Sequence, residues 1–176
     1  MPSNLNRSIA WLCTPRQVLG LGPKFTQADI LRLAPGLTAT TLQNWANRDL
    51  VRPVILTGRR LYDTVQLQKV VLGHQLVEDL RLQPAEAIVI VLAAYLALSQ
   101  ALKAEGTSIW RCPDELLKQY WVIRPKGRER DDVVAVKEPL IAETLTRLGA
   151  SIILPHGRNL IDLAERAMAL KQEAAR

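Results

Sequence analysis

A chain of 176 residues with 48% hydrophobic side chains has room for one domain or two small ones around a packed core. Its formal net charge of +6 and pI near 9.7 suit a polyanionic partner, and two isolated cysteines, Cys13 and Cys112, exclude a disulfide framework and zinc-finger spacing. The charge is one-sided: residues 1–77 hold nine basic and three acidic side chains, while fourteen of each sign cancel in the remainder.

Residues 1–24 carry a helix-start signal at Thr14-Pro15, since proline is favoured at the first helical position, and Gly20-Leu21-Gly22-Pro23 ends it. The segment reads as an arm that packs on the next domain or touches DNA. It lacks the apolar run of a secretory signal, so a cytoplasmic location is expected. Thr26 and Asp29 then form a capping-box pair, with Phe25 and Ile30 at the flanking staple positions. Ile30, Leu31 and Leu33 face inward until Pro35-Gly36 breaks the helix. Thr38 caps a second helix in which Leu42, Trp45 and Ala46 face the first. Asp49 stands where that helix ends and tolerates the left-handed backbone such an end often needs.

The other face of the second helix carries Thr40, Thr41, Gln43, Asn44, Asn47 and Arg48. A merely solvated face would more often be Glu and Lys. Carboxamides pair bidentately with adenine, and guanidinium groups with guanine. A hairpin follows, with strands over 51–56 and 59–62 and a turn at Thr57-Gly58; Pro53 fits only an edge or a strand start. Arg52, Arg59 and Arg60 give it three permanent charges. Two helices and a basic hairpin make the layout of a winged helix-turn-helix, in which one helix enters the major groove and the hairpin reaches flanking backbone or the minor groove.

At these residues the chain resembles the DNA-binding domain of MerR-type regulators. Thr41-Leu42, Trp45, Leu50, Val51 and Pro53 are similar to the family's Thr-Leu…Tyr…Gly-Leu-Leu…Pro run. Gly58-Arg59-Arg60-Leu61-Tyr62 is similar to its Gly-Tyr-Arg-x-Tyr wing ending, and the resemblance implies that Arg60 and Tyr62 contact phosphates. It extends to about Leu92, roughly the first half of the chain. Gln43 and Asn44 stand where the family often has Arg and Tyr, and Asp49 where it has Gly, which leaves operator preference open.

After the hairpin, Asp63 caps a third helix, with Gln66 as its box partner, running to about Leu80. Pro84 opens a fourth helix that runs to about Ala104 and stops at Gly106. Its section 87–98 is apolar almost throughout, short for a bilayer crossing of about 20 residues. Such a helix needs cover on all sides, from a second subunit or from the core of a monomer. Beyond the connection 107–113 the pattern turns to α/β. Strands are expected over 120–123, 133–136 and 151–154, with a loop around Lys126, Arg128 and Arg130, a helix over 139–148 ended by Gly149, and a last helix capped by Asn159.

These readings predict a mainly α (α+β) protein. Its parts are a winged helix-turn-helix domain with an N-terminal arm (1–82), a linking or dimerisation helix (83–106) and a small α/β domain with a C-terminal helix (107–176). The expected function is sequence-specific transcriptional regulation as a homodimer on double-stranded DNA, with an effector or transcription-machinery partner on the C-terminal half. The alternative is a phage-type architectural protein, an excisionase or small DNA-packaging subunit. A third class is a small-molecule or protein-binding module whose working part is the α/β region. Neither a cofactor nor a membrane is expected. An enzyme is not expected either: Asp131-Asp132 with His156 forms no paired-carboxylate, Ser/His or phosphate-loop pattern.

Overall fold

Local capping chemistry sets the first elements. The computed structural model describes residues 25–125, 133–149 and 151–174; the arm 1–24, with its Thr14-Pro15 signal and Cys13, and the loop 126–132 lie outside the described residues. Strand β1 (Phe25–Thr26) leads into helix α1 (Gln27–Leu33) through the expected box: Asp29 N–H donates to Thr26 Oγ1 at 3.2 Å and Thr26 N–H to Asp29 Oδ2 at 2.8 Å. Phe25 and Ile30, the staple pair, are both buried. After the turn 34–38, helix α2 (Ala39–Asn47) is capped by Thr38, whose Oγ1 accepts from Thr41 N–H at 3.0 Å. Trp45 and Leu42 point into the core. The end of α2 is a Schellman motif: Leu50 N–H donates to Trp45 O and Asp49 N–H to Ala46 O, with Asp49 left-handed at φ 60°.

Strands β2 (Val54–Leu56) and β3 (Arg59–Tyr62) pair antiparallel, Leu56 opposite Arg59. The two turn residues both have positive φ, Thr57 at 49° and Gly58 at 74°, the backbone of a tight hairpin turn whose twist matches its strands. Strand β1, which local patterning did not reveal, pairs with the other side of β3, Phe25 opposite Tyr62, giving sheet order β1-β3-β2.

Helix α3 (Thr64–Leu80) starts at Asp63, whose Oδ1 accepts from Gln66 N–H at 2.8 Å. Gln66 does not reciprocate as expected; its Oε1 takes Arg52 N–H at 2.9 Å and ties the approach to the hairpin onto α3. Helix α4 (Pro84–Ala104) packs along α3 and ends on Gly106, again with Schellman bonds. It has the expected limits, and its 21 residues, unlike the apolar section 87–98 alone, are by length and composition enough to cross a bilayer. One face (Ile88, Val91, Ala94, Leu98, Leu102) is buried within the fold; on the opposite side Val89 and Leu92 are half-buried and Leu96 is 58% exposed.

A short helix α5 (Asp114–Leu117) precedes strand β4 (Tyr120–Pro125), which sits between β5 (Val134–Lys137) and β6 (Ser151–Leu154), antiparallel to both. Consecutive strand residues face opposite sides, and Val122 and Ile123 are both buried, so β4 is covered on both faces. Glu105 at the end of α4 accepts from Tyr120 Oη and pairs with Lys137, each at 2.6 Å, and Glu86 near its start pairs with Arg124 at 3.0 Å; these contacts fix α4 on the sheet. A single 3-10 turn (Glu138–Leu140) leads into helix α6 (Ile141–Leu148), which Gly149 ends.

The last helix, α7 (His156–Glu173), starts earlier than Asn159. Its first turn is closed by Asn159 N–H donating to Pro155 O at 3.0 Å, without a side-chain cap. Its apolar stripe (Leu160, Leu163, Ala164, Ala167, Leu170) is buried inside the chain. It crosses α1, where Lys171 Nζ donates to Asp29 Oδ2 at 2.7 Å and lies 4.8 Å above the Phe25 ring, and Arg166 donates to Leu33 O at 3.2 Å. One buried cluster therefore runs from Phe25 to Leu170, each large apolar member contributing about 1.5–3 kcal/mol.

Candidate nucleic-acid interface

Helix α2 buries Leu42 and Trp45, which turns its polar residues outward: Thr40, Asn44, Asn47 and Arg48 are exposed, Thr41 and Gln43 partly so. Thr41 is held by Thr38, the two hydroxyl oxygens lying 2.9 Å apart. The hairpin comes back beside this face. Arg60 Nη1 donates to Gln43 Oε1, and Gln43 Nε2 donates to Asn47 Oδ1 at 2.6 Å. Helix and hairpin thus share one hydrogen-bonded run, a link the sequence could not reveal because the partners lie 17 positions apart.

The other basic residues behave differently. Arg59 is exposed and forms no ion pair among the described residues, and with Arg60 it borders a shallow hollow of about 390 Å³ shared with Thr26, Gln27 and Ala28. Arg52 is also exposed but engaged: its Nε donates to Asp49 Oδ1 at 2.6 Å and its Nη2 to the other carboxylate oxygen. That pairing holds the Asp49 carboxyl below the ordinary carboxylate range. Lys69 on α3, counted in the charge excess but not among the expected site residues, is buried close to this pair; burial and the nearby Arg52 charge push its ammonium pKa down.

Tyr62 departs from expectation. Its side chain is 0% exposed and its hydroxyl is buried without a hydrogen-bond partner, so it does not reach the surface where a phosphate contact would be made. Side chains alternate along β3, which places Tyr62 on the same face as Arg60 but inward, opposite Phe25. Burial raises its phenol pKa, partly offset by the Arg60 charge.

The hairpin has one feature that patterning alone did not single out. Val54, Ile55 and Leu56 on the edge strand β2 are all exposed, Ile55 at 68%. Among the described residues no group of three or more His, Cys, Asp or Glu side chains is placed to hold a metal ion. No protein-family model and no curated protein matches the chain.

Proposed function

We propose that the chain is a sequence-specific regulator that binds double-stranded DNA through a MerR-like winged helix-turn-helix and acts as a homodimer. The observation that carries this reading is the run Arg60–Gln43–Asn47, which joins the polar face of α2 to a basic hairpin within the half that bears the whole charge excess. Arg48, Arg59 and Arg60 supply phosphate contacts; Thr40, Thr41, Gln43, Asn44 and Asn47 meet base edges. Arg52 joins the phosphate contacts by exchanging Asp49 for DNA. The half-exposed strip Val89, Leu92 and Leu96 on α4 is the surface offered to the second protomer.

Selection of bound duplexes from random sequence, followed by anisotropy titration at several salt concentrations, tests it. An enriched motif is expected, and log affinity should fall linearly with log salt with a slope of several units, as counterion release requires. Binding that ignores salt, or no enrichment at all, contradicts the reading.

A second reading, the architectural protein that bends DNA for a larger machine, is favoured by the exposed Val54, Ile55 and Leu56. Minor-groove benders insert apolar wedges between base steps. Energy transfer between dyes at the two ends of a bound duplex separates the two readings: a bend lost in Ile55→Ser supports it, and an unbent duplex removes it.

A further inference from the structure

Between α3 and the edge strand β6 lies a cleft of about 470 Å³, well away from the polar face of α2. Its wall is mainly apolar: Leu72, Leu76 and Leu80 from α3, Val91 from α4, and Ile152 and Leu154 from β6. At its floor stands His156, the first residue of α7. This imidazole is 2% exposed, and its Nε2 is buried with no hydrogen-bond partner. A buried polar atom without a partner is costly, and such atoms are rare enough in folded chains to call for an explanation.

We propose that this cleft binds a neutral, mainly apolar small molecule bearing one hydroxyl or carbonyl, and that His156 is its polar anchor. The volume is that of ordinary small-molecule sites, which pair apolar walls with a few placed polar groups. No Lys or Arg lines the cleft among the described residues, and Asp79 stands on its wall, so an anionic ligand meets no opposite charge. Burial lowers the His156 pKa to about 4, so the imidazole is neutral near pH 7 and offers a hydrogen bond without a charge. A hydroxyl group serves either tautomer, because it both donates and accepts.

The test uses the full chain, with isoleucine and leucine methyl groups and histidine ring nitrogens labelled for NMR. Three probes of similar size are titrated: cyclohexanol, methylcyclohexane and cyclohexanecarboxylate. Cyclohexanol should shift the methyl signals of Ile152, Leu154 and Leu76 saturably and move the His156 ring-nitrogen signal. It should bind about fivefold or more tightly than either competitor, the size of one neutral hydrogen bond. Ile153→Trp adds bulk to the cleft wall at a residue that is 38% exposed and should abolish the shifts. His156→Phe should erase the preference for the alcohol; if that variant does not fold, the ring-nitrogen signal of the native chain decides. Methyl shifts that never saturate, equal affinity for all three probes, or a His156 signal that stays put while the methyl groups respond would each overturn the proposal. None of these outcomes involves DNA, so they leave the reading of α2 and the hairpin untouched.

Discussion

At Gly157, in the first turn of α7, an added Cβ would lie 1.9 Å from the carbonyl oxygen of Leu117 and 3.2 Å from that of Tyr120. Both obstacles are backbone and cannot rotate away, so Gly157→Ala should cost at least about 2–3 kcal/mol in urea unfolding. Gly73, within α3, is the contrast: its Cβ would meet the Ile88 side chain at 3.2 Å, which can yield, and alanine is the better helix former by about 1 kcal/mol. Gly73→Ala should be near neutral in the same measurement. His156, one position before Gly157, sets a pH dependence. Its unfolded pKa is near 6.5 and burial lowers the folded value to about 4. Its contribution is fully present above pH 6.5 and is lost as pH falls from there towards 4, by roughly 3 kcal/mol at most. Unfolding free energies at about pH 7 and about pH 4.5 should differ in this sense for the native chain and much less for His156→Phe. Asp29 acts in a lower window. Burial pushes its carboxyl up, but the bonds from Lys171 and the Thr26 N–H outweigh this and leave it below 3.8, so its contribution disappears only at more acid pH.

Helix α2 and the hairpin are joined side chain to side chain, because Arg60 reaches Gln43. Asn44 is exposed and outside that run, so Asn44→Ala should cost about 1–3 kcal/mol on the preferred duplex and relax discrimination at one base pair. Arg60→Ala should lower the salt slope by about one unit and also weaken discrimination, since Gln43 loses the group that orients it. A purely phosphate-holding Arg60 would change the slope alone; anisotropy on one preferred and one scrambled duplex distinguishes these outcomes. The end of α2 offers a related test. Asp49 adopts φ 60°, a conformation glycine takes without strain, and its carboxylate occupies Arg52. Asp49→Gly should leave thermal stability unchanged or higher and should strengthen binding to scrambled duplex at low salt, because Arg52 is released. Unchanged binding would mean that Arg52 takes no part in holding DNA.

For the whole molecule, α7 changes how the two halves relate. Its apolar stripe is buried against the chain's own core and its final turns are fastened to α1. The stripe is thus already covered, and removing residues from 159 onward should unfold the protein rather than merely separate two copies. Outside the hairpin, an exposed apolar strip around Leu96 on α4 is the surface proposed for a second subunit. Leu96→Glu should convert a dimer to a monomer in light scattering at micromolar concentration without changing the circular dichroism spectrum. A native chain that already scatters as a monomer would remove the homodimer from the proposed function.

What the sequence by itself determined is whatever acts over three or four residues. Thr26, Thr38 and Asp63 cap their helices, Gly58, Gly106 and Gly149 end or turn elements where expected, and α3 and α4 have the expected limits, because capping and turn chemistry is local. The charge asymmetry and the outward polar face of α2 were legible for the same reason. What only the tertiary structure decided depends on partners distant in sequence. The Lys171–Asp29 bond joins positions 142 apart, and nothing in the pattern around either residue announces it. Strand β1 is two residues long and exists only because β3 is there to pair with it. Tyr62 has the composition of a surface contact and the location of a core residue, since strand alternation and the pairing with Phe25 turn it inward. Asn159 has the chemistry of a cap, but α7 starts before it because Gly157 lets the helix backbone approach Leu117. His156 was one histidine between a strand and a helix until α3 and β6 closed around it and left its Nε2 without a partner.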